Sequence, residues 1–399
     1  MEEPGKTVRY THVLIRIVLA QFLCTSLWFA GNAVLPGLTA AFDLGSKALG
    51  HLTSAVQLGF IGGTLVFAVL TIADRFSPSR VFFVCAVSGA LTNVLITLGH
   101  HNLASLSALR FATGFCLAGI YPVGMKIASD YFEKGLGKAL GFLVGALVLG
   151  TAFPHAIRQF SVGLPWKVVF LTTSALALLG GIIVWISVPD GPYRKRAQQL
   201  HWDAVFTVFK VNKFRNAAFG YFGHMWELYT FWAFVPVILL AHQKAFDYSL
   251  ATSGVSFAII GIGCLSCIAG GLWSQYVGPR EVASRALAAS GICCLISPLI
   301  LRQSSPVLLV LFMLFWGIVV IADSPMFSTL IATNAPQQSR ATALTIVNCI
   351  GFSITIVSIE LLNFLTTVWD WRWIYIVLAP GPLLGLWALR NKTPDNKQV

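Results

Sequence analysis

Several ionisable side chains lie inside long apolar stretches of this sequence, where a charge is costly and so carries information. His224 and Glu227 sit three residues apart in Tyr221-Phe222-Gly223-His224-Met225-Trp226-Glu227-Leu228-Tyr229, a spacing that places both on one helical face. Asp323 directly precedes Ser324-Pro325, Arg110 opens Arg110-Phe111-Ala112-Thr113-Gly114, and His155 and Arg158 follow Pro154. An ionised group at the centre of a membrane-spanning helix costs about 2.5–3.5 kcal/mol or more unless it faces protein or water. Two chemistries suit these residue types. An arginine fork binds carboxylate or phosphate through paired N–H groups, and a buried carboxylate or imidazole can take up and release a proton. Plainer roles also fit: an ion pair or a clamp on backbone carbonyls for Arg110, and packing for His155. Glu360, nearer an end of its apolar run, suits a structural part.

The elements that must position these groups are membrane helices. The chain has 399 residues, of which 56% are hydrophobic and 11% charged, with a mean hydropathy of +0.77; soluble domains carry roughly 25% charged residues. A crossing takes about 20 apolar residues. Twelve such windows fall near 13–35, 48–73, 81–99, 103–128, 138–160, 167–188, 216–241, 251–274, 283–301, 306–332, 341–365 and 371–389. Leu14 to Pro36 is too long for the apolar core of a signal peptide and is expected to remain as the first span. The eight cysteines lie in apolar runs, which argues against a disulfide framework.

An even number of spans puts both termini on one side, and the positive-inside rule says which. Of the 27 Lys and Arg, twenty fall on the side of the termini, six on the other, and Arg110 alone lies well inside a span. Both termini are therefore expected in the cytoplasm of a bacterial inner membrane. The same distribution accounts for the net charge of +12 without nucleic acid as a partner.

The longest polar segment, 189–215, contains Arg194-Lys195-Arg196 and divides the spans six and six. Residues 1–188 and 216–399 are thus expected to be two bundles joined by a cytoplasmic linker. The halves resemble each other: Ser77-Pro78 recurs as Gly278-Pro279, Pro122 as Pro325, Ile127-Ala128-Ser129 as Ile331-Ala332-Thr333, and Trp166-Lys167 as Trp371-Arg372. Near-constant offsets with the same orientation describe parallel repeats about an axis along the membrane normal. Pro122 and Pro325 each remove a backbone hydrogen bond deep in a span, which is tolerated where the freed carbonyl lines a cavity or bonds a neighbour.

Three local patterns resemble the major facilitator superfamily. Asp74-Arg75-Phe76-Ser77-Pro78-Ser79-Arg80, between spans two and three, is similar to its acidic-basic loop motif, with Leu70 and Ser77 in place of the usual glycines. Arg110 and Gly114 match its Arg-x-x-x-Gly pattern in span four. Gly137, Gly141, Gly145, Gly150 and Pro154 resemble its glycine-rich antiporter motif in span five, although Pro154-His155 replaces the expected Gly-Pro. Small residues spaced this way also serve close helix packing. The resemblance implies an all-α integral membrane protein of twelve helices in two pseudo-symmetric six-helix bundles. It places spans one, four, seven and ten around a central cavity, and it makes Asp74, Arg75 and Arg80 a gate that latches the outward-facing state.

On that frame the candidate solute site comprises Arg110, Tyr121, His155, Arg158, His224, Trp226, Glu227, Tyr229, Asp323 and Asn348. Glu227, Asp323 and His224 are the candidates for proton coupling. The implied function is secondary active transport, by alternating access and in symport with protons, of a small organic solute that is anionic or zwitterionic. No cofactor is called for, and the expected partners are the solute, protons and membrane lipid around a monomer. Aromatic residues such as Trp28, Trp226, Tyr229 and Trp232 would stack on a flat solute or serve as packing. Other readings are a proton-driven drug or metabolite exporter, a copper importer using Cys264, Cys267 and His224-Met225, and a membrane-embedded enzyme. The metal reading is thin with five Met and no Met cluster. For the enzyme, no His-Glu-x-x-His, Gly-x-Ser-x-Gly or Walker pattern occurs.

Overall fold

The structure, a computed structural model, describes residues 4–45, 47–132, 136–194, 207–336 and 340–390. Twelve helical crossings make up nearly all of it. Span one runs Pro4–Thr25, Ala30–Ala33 and Leu35–Phe42; span two is Ala48–Val69, span three Pro78–Leu95, span four Leu103–Ala118 with Tyr121–Tyr131, span five Leu136–Phe160 and span six Lys167–Ser187. The second bundle holds span seven at Asn212–Phe246, span eight at Thr252–Gly261 with Gly263–Val277, and span nine at Pro279–Ile300. Span ten follows at Pro306–Val319 with Ser324–Asn334, span eleven at Arg340–Val368, and span twelve as a 3₁₀ turn, Ile374–Leu378, with Pro380–Arg390. Ten helices are long and apolar enough to cross a membrane unaided, and the first and last crossings are the short ones. Residues 195–206 of the expected linker, with Lys195 and Arg196, lie outside the described residues.

Helix starts follow local chemistry. Proline occupies the first turn of spans three, nine and ten, where its missing N–H costs nothing. Span four opens on a capping box in which Asn102 and Ser105 satisfy each other's backbone N–H, removing orphan donors at that end. All eight cysteines are free thiols.

The breaks matter more for function. Spans four and ten interrupt just before Pro122 and Pro325, as the prolines predict. Span one also breaks, over residues 26–29, although its nearest proline is Pro36; hydropathy treats it as one run, because a break costs little in composition when a side chain from elsewhere satisfies the freed carbonyls. Span eight pauses at Ile262 in the same unannounced way.

The internal repeat survives in three dimensions. A Cβ on Gly114 of span four would stand 2.0 Å from Val56 O of span two, and one on Gly317 of span ten 2.1 Å from Ile259 O of span eight. Both members of the second pair lie 203 positions after the first, so each half builds the same backbone contact and only glycine fits it.

The two bundles meet along spans two and eleven and along spans five and eight, and the seam is uneven. On the face away from the chain ends, Ser54 Oγ donates to Glu360 Oε1 at 2.9 Å and Gly254 N donates to Gln159 Oε1 at 3.0 Å. Deeper in, Phe153 lies 6.4 Å from Phe257 ring to ring, and a Cβ on Gly145 would come within 3.2 Å of Cys264 Sγ. One turn further towards the face of the chain ends, Cβ atoms on Gly141 and Gly271 would meet nothing within 4 Å. Between described residues, no hydrogen bond or ion pair joins the bundles on that side. The described contacts between the bundles are thus polar at the distal face, and the terminal half of span ten also approaches span five.

Candidate functional site

In the first bundle the buried cation is absorbed by the fold. Arg110, 2% exposed, donates through Nη2 to Leu27 O and Trp28 O, at 3.0 and 2.5 Å, and through Nη1 to Asn93 Oδ1 at 3.1 Å. Those carbonyls belong to the break in span one, so the guanidinium replaces the helical hydrogen bonds that the break gives up. Asn93 in turn donates to Phe170 O, Thr173 and Ser174 of span six. Span one, span three, span four and span six are thus tied at one node. Among the described residues no carboxylate lies within ion-pair distance of Arg110. His155 is 1% exposed with Nε2 unpartnered, whereas Arg158 reaches outward to Leu164 O at 3.0 Å.

The second bundle brings acids and an imidazole together. His224 Nδ1 stands 2.8 Å from Asp323 Oδ1, with both side chains 1% exposed. The contact is at ion-pair distance; Asp323 Oδ1 and, on the other side of the ring, His224 Nε2 make no hydrogen bond. Asp323 sits at the break in span ten and its carbonyl accepts from Met326 and Phe327, starting the next helix. Glu227, also 1% exposed, accepts from Trp316 Nε1 at 2.6 Å and Cys294 Sγ at 3.3 Å. It therefore points among spans nine and ten. Shared helical spacing does not give His224 and Glu227 shared partners. Among the described residues neither Glu227 nor Asp323 has a Lys or Arg within ion-pair distance.

The other expected solute ligands divide. Tyr121, half-buried, opens the terminal half of span four. Tyr221 OH donates to Asn348 Oδ1 at 3.1 Å, bridging spans seven and eleven. Trp226 turns away, donating to Val377 O of span twelve at 2.9 Å. Tyr229 joins an aromatic layer between the bundles: its ring centre lies 5.7 Å from Trp28, 5.1 Å from Phe352 and 5.3 Å from Trp232, and Phe60 closes the group at 4.5 Å from Phe352.

At the terminal face Asp74, in the short helix Ile72–Arg75, pairs with Lys126 Nζ of span four at 3.0 Å, and Lys126 also holds Asp130 at 3.2 Å. Arg194 donates to the carbonyls of Asp74 and Phe76 and pairs with Asp190, which accepts from Ser77. The start of the linker is thereby bound to the first bundle. Arg75 and Arg80 are exposed and form no ion pair among the described residues. Sequence reasoning missed Gln57, Phe60 and Phe352 as parts of the central layer and the Ser54–Glu360 contact; residues that meet across two bundles leave no mark in spacing.

Two six-helix bundles with broken helices at their shared centre have the architecture of a membrane transporter. The sequence profile described as "Major Facilitator Superfamily" matches residues 17–359 and 217–399, and the chain belongs to that family. Curated relatives are distant. The uncharacterized transporter C1002.16c of Schizosaccharomyces pombe is 24% identical over 239 residues, 52% of this chain and 47% of that protein. The 4-hydroxybenzoate transporter PcaK of Pseudomonas aeruginosa is 27% identical over 185 residues, 44% of this chain and 40% of that protein. Each match thus covers about half of the relative or less. The fold matches the crystal structure of the human organic anion transporter MFSD10 with a TM-score of 0.75 at 15% identity, over 98% of this chain and 100% of that one.

Proposed function

We propose that the protein carries a small organic anion or zwitterion across a bacterial inner membrane in symport with protons, with both termini in the cytoplasm. The observation that supports this reading most is the His224–Asp323 pair. A carboxylate enclosed in the bilayer with no fixed cation is costly when ionised, and an imidazole at 2.8 Å gives one bound proton two sites at which the pair is neutral overall, so that its release, which leaves one buried negative charge, can be tied to opening of the site. The pair flanks the break in span ten, the segment that would bend as the bundles rock. Glu227, one turn on, is the second proton site. Arg110 serves to hold span one, and the solute's anionic group meets neutral donors in the central layer. PcaK and MFSD10 carry names that specify organic anions, which agrees with this solute class.

The test is flux in proteoliposomes. Counterflow of the solute should occur without energy input, and an imposed pH gradient, acidic on the side of uptake, should drive accumulation that a protonophore abolishes. Uptake indifferent to pH gradient and protonophore would leave a facilitator or a carrier driven by another ion.

A further inference from the structure

The layer where the bundles touch holds polar atoms that the fold leaves unsatisfied. Trp28 of span one, Gln57 of span two and Trp232 of span seven are each 1% exposed or less. Trp28 Nε1, Trp232 Nε1 and both amide atoms of Gln57 make no hydrogen bond. The two indoles meet the same phenol, at 5.7 and 5.3 Å from the Tyr229 ring. Phe60, three residues along the helix from Gln57 and so on the same face, lies 4.9 Å from Trp28. A buried donor without a partner costs about 1–3 kcal/mol. Native folds seldom carry several together without an occupant or an alternative state that meets them.

The chemistry of these groups specifies what would meet them. An indole N–H only donates, so the two indoles and the Gln57 NH2 group call for a ligand that presents acceptors, while Gln57 Oε1 is left to accept. Rings from both bundles surround the donors, and they favour an aromatic partner that stacks or meets them edge-on. Arg110 gives its donors elsewhere, to Leu27, Trp28 and Asn93, so the ligand's charge is met by neutral N–H groups. A carboxylate, whose two oxygens accept several donors at once, fits that set.

We infer that this layer is the recognition surface for a planar aromatic carboxylate, whose ring lies among Trp28, Tyr229 and Phe352 and whose oxygens accept from Trp28 Nε1, Trp232 Nε1 and the Gln57 amide. The inference rests on the reading of the chain as an organic-anion carrier and narrows its solute class. The layer is shut in the present state, so the ligand enters as the distal seam parts and shifts the population that way.

The test uses the purified full-length protein in detergent, titrated with benzoate, cyclohexanecarboxylate and inorganic phosphate, and followed by tryptophan fluorescence and thermal unfolding. Benzoate should quench and stabilise, with cyclohexanecarboxylate and phosphate weaker by about tenfold or more. Trp28→Phe and Trp232→Phe keep a ring but delete the N–H. Each should weaken benzoate about tenfold while leaving the ligand-free melting temperature equal or higher, because an unpartnered donor has gone. Equal affinity for cyclohexanecarboxylate, wild-type affinity in both variants, or no response of the folded wild type to benzoate would each overturn the inference. A variant that melts lower is replaced by Gln57→Leu, for which the same loss of benzoate affinity is expected and its absence counts against the inference. Detergent binding needs no proton gradient, so a failure here is separable from a failure of coupling.

Discussion

Spans four and ten are copies of one design that differ in where they place charge. Gly114 and Gly317 press on the backbone of spans two and eight in the same way, and both helices break just before a proline. Yet 203 positions after Arg110 the second bundle has Met313, fully buried, and 203 positions before Asp323 the first bundle has Ile120, also fully buried. The shared parts belong to the frame. The departures show how each bundle uses its break: the first spends a cation on the loose backbone of span one, and the second sets an acid and an imidazole beside the break itself.

The frame should fail equally in both copies. Gly114→Val and Gly317→Val each put a side chain about where a carbonyl already stands, and both should abolish folded yield in size-exclusion profiles of detergent extracts. One tolerated and one lethal variant would show the repeat to be less equal than its contacts.

Next in size is Arg110→Ala, which strands two carbonyls and Asn93 Oδ1 and should cost about 2–5 kcal/mol, read as a large drop in melting temperature. Arg110→Lys should recover only part of it, since a point charge cannot span three acceptors. In contrast Asp323→Asn should leave the melting temperature near wild type while changing coupling. If Arg110→Ala melts normally but fails to bind solute, the cation belongs to the solute site and the contrast between the spans is drawn wrongly.

Smaller effects are expected at the seams. Ser54→Ala removes one of the two hydrogen bonds that, among the described residues, join the bundles at the distal face, about 0.5–1.5 kcal/mol, and should shift spin-label distances across that face towards the open state by a few-fold in population. Asp74→Asn should do least. Its partner Lys126 lies in the same bundle and the pair is partly exposed, so about 0.2–1 kcal/mol is at stake in this state. A larger shift towards the terminally open state in the same measurement would mean that Asp74 acts as a latch in the opposite state.

Much of this was legible in the sequence and some could not be. Hydropathy located twelve crossings, prolines located two breaks, and recurring residues disclosed the repeat, because each is a local property of the chain. Helical spacing placed His224 and Glu227 on one face of span seven, but it could not name their partners, which come from other spans: Asp323 for the first, Trp316 and Cys294 for the second. The break in span one has no signature of its own because its compensation, Arg110, lies more than eighty residues away. Trp28, Gln57 and Phe352 acquire their shared role only when the bundles close on each other.

The most direct test of the division between the bundles compares exchange with accumulation in reconstituted Asp323→Asn and Glu227→Gln. Each substitution mimics a protonated acid, so solute exchange, which needs no net proton movement, should persist at near wild-type rate. Accumulation driven by a pH gradient should vanish in Asp323→Asn and weaken in Glu227→Gln. Undiminished gradient-driven accumulation in both variants would contradict the account and remove the proton from the second bundle.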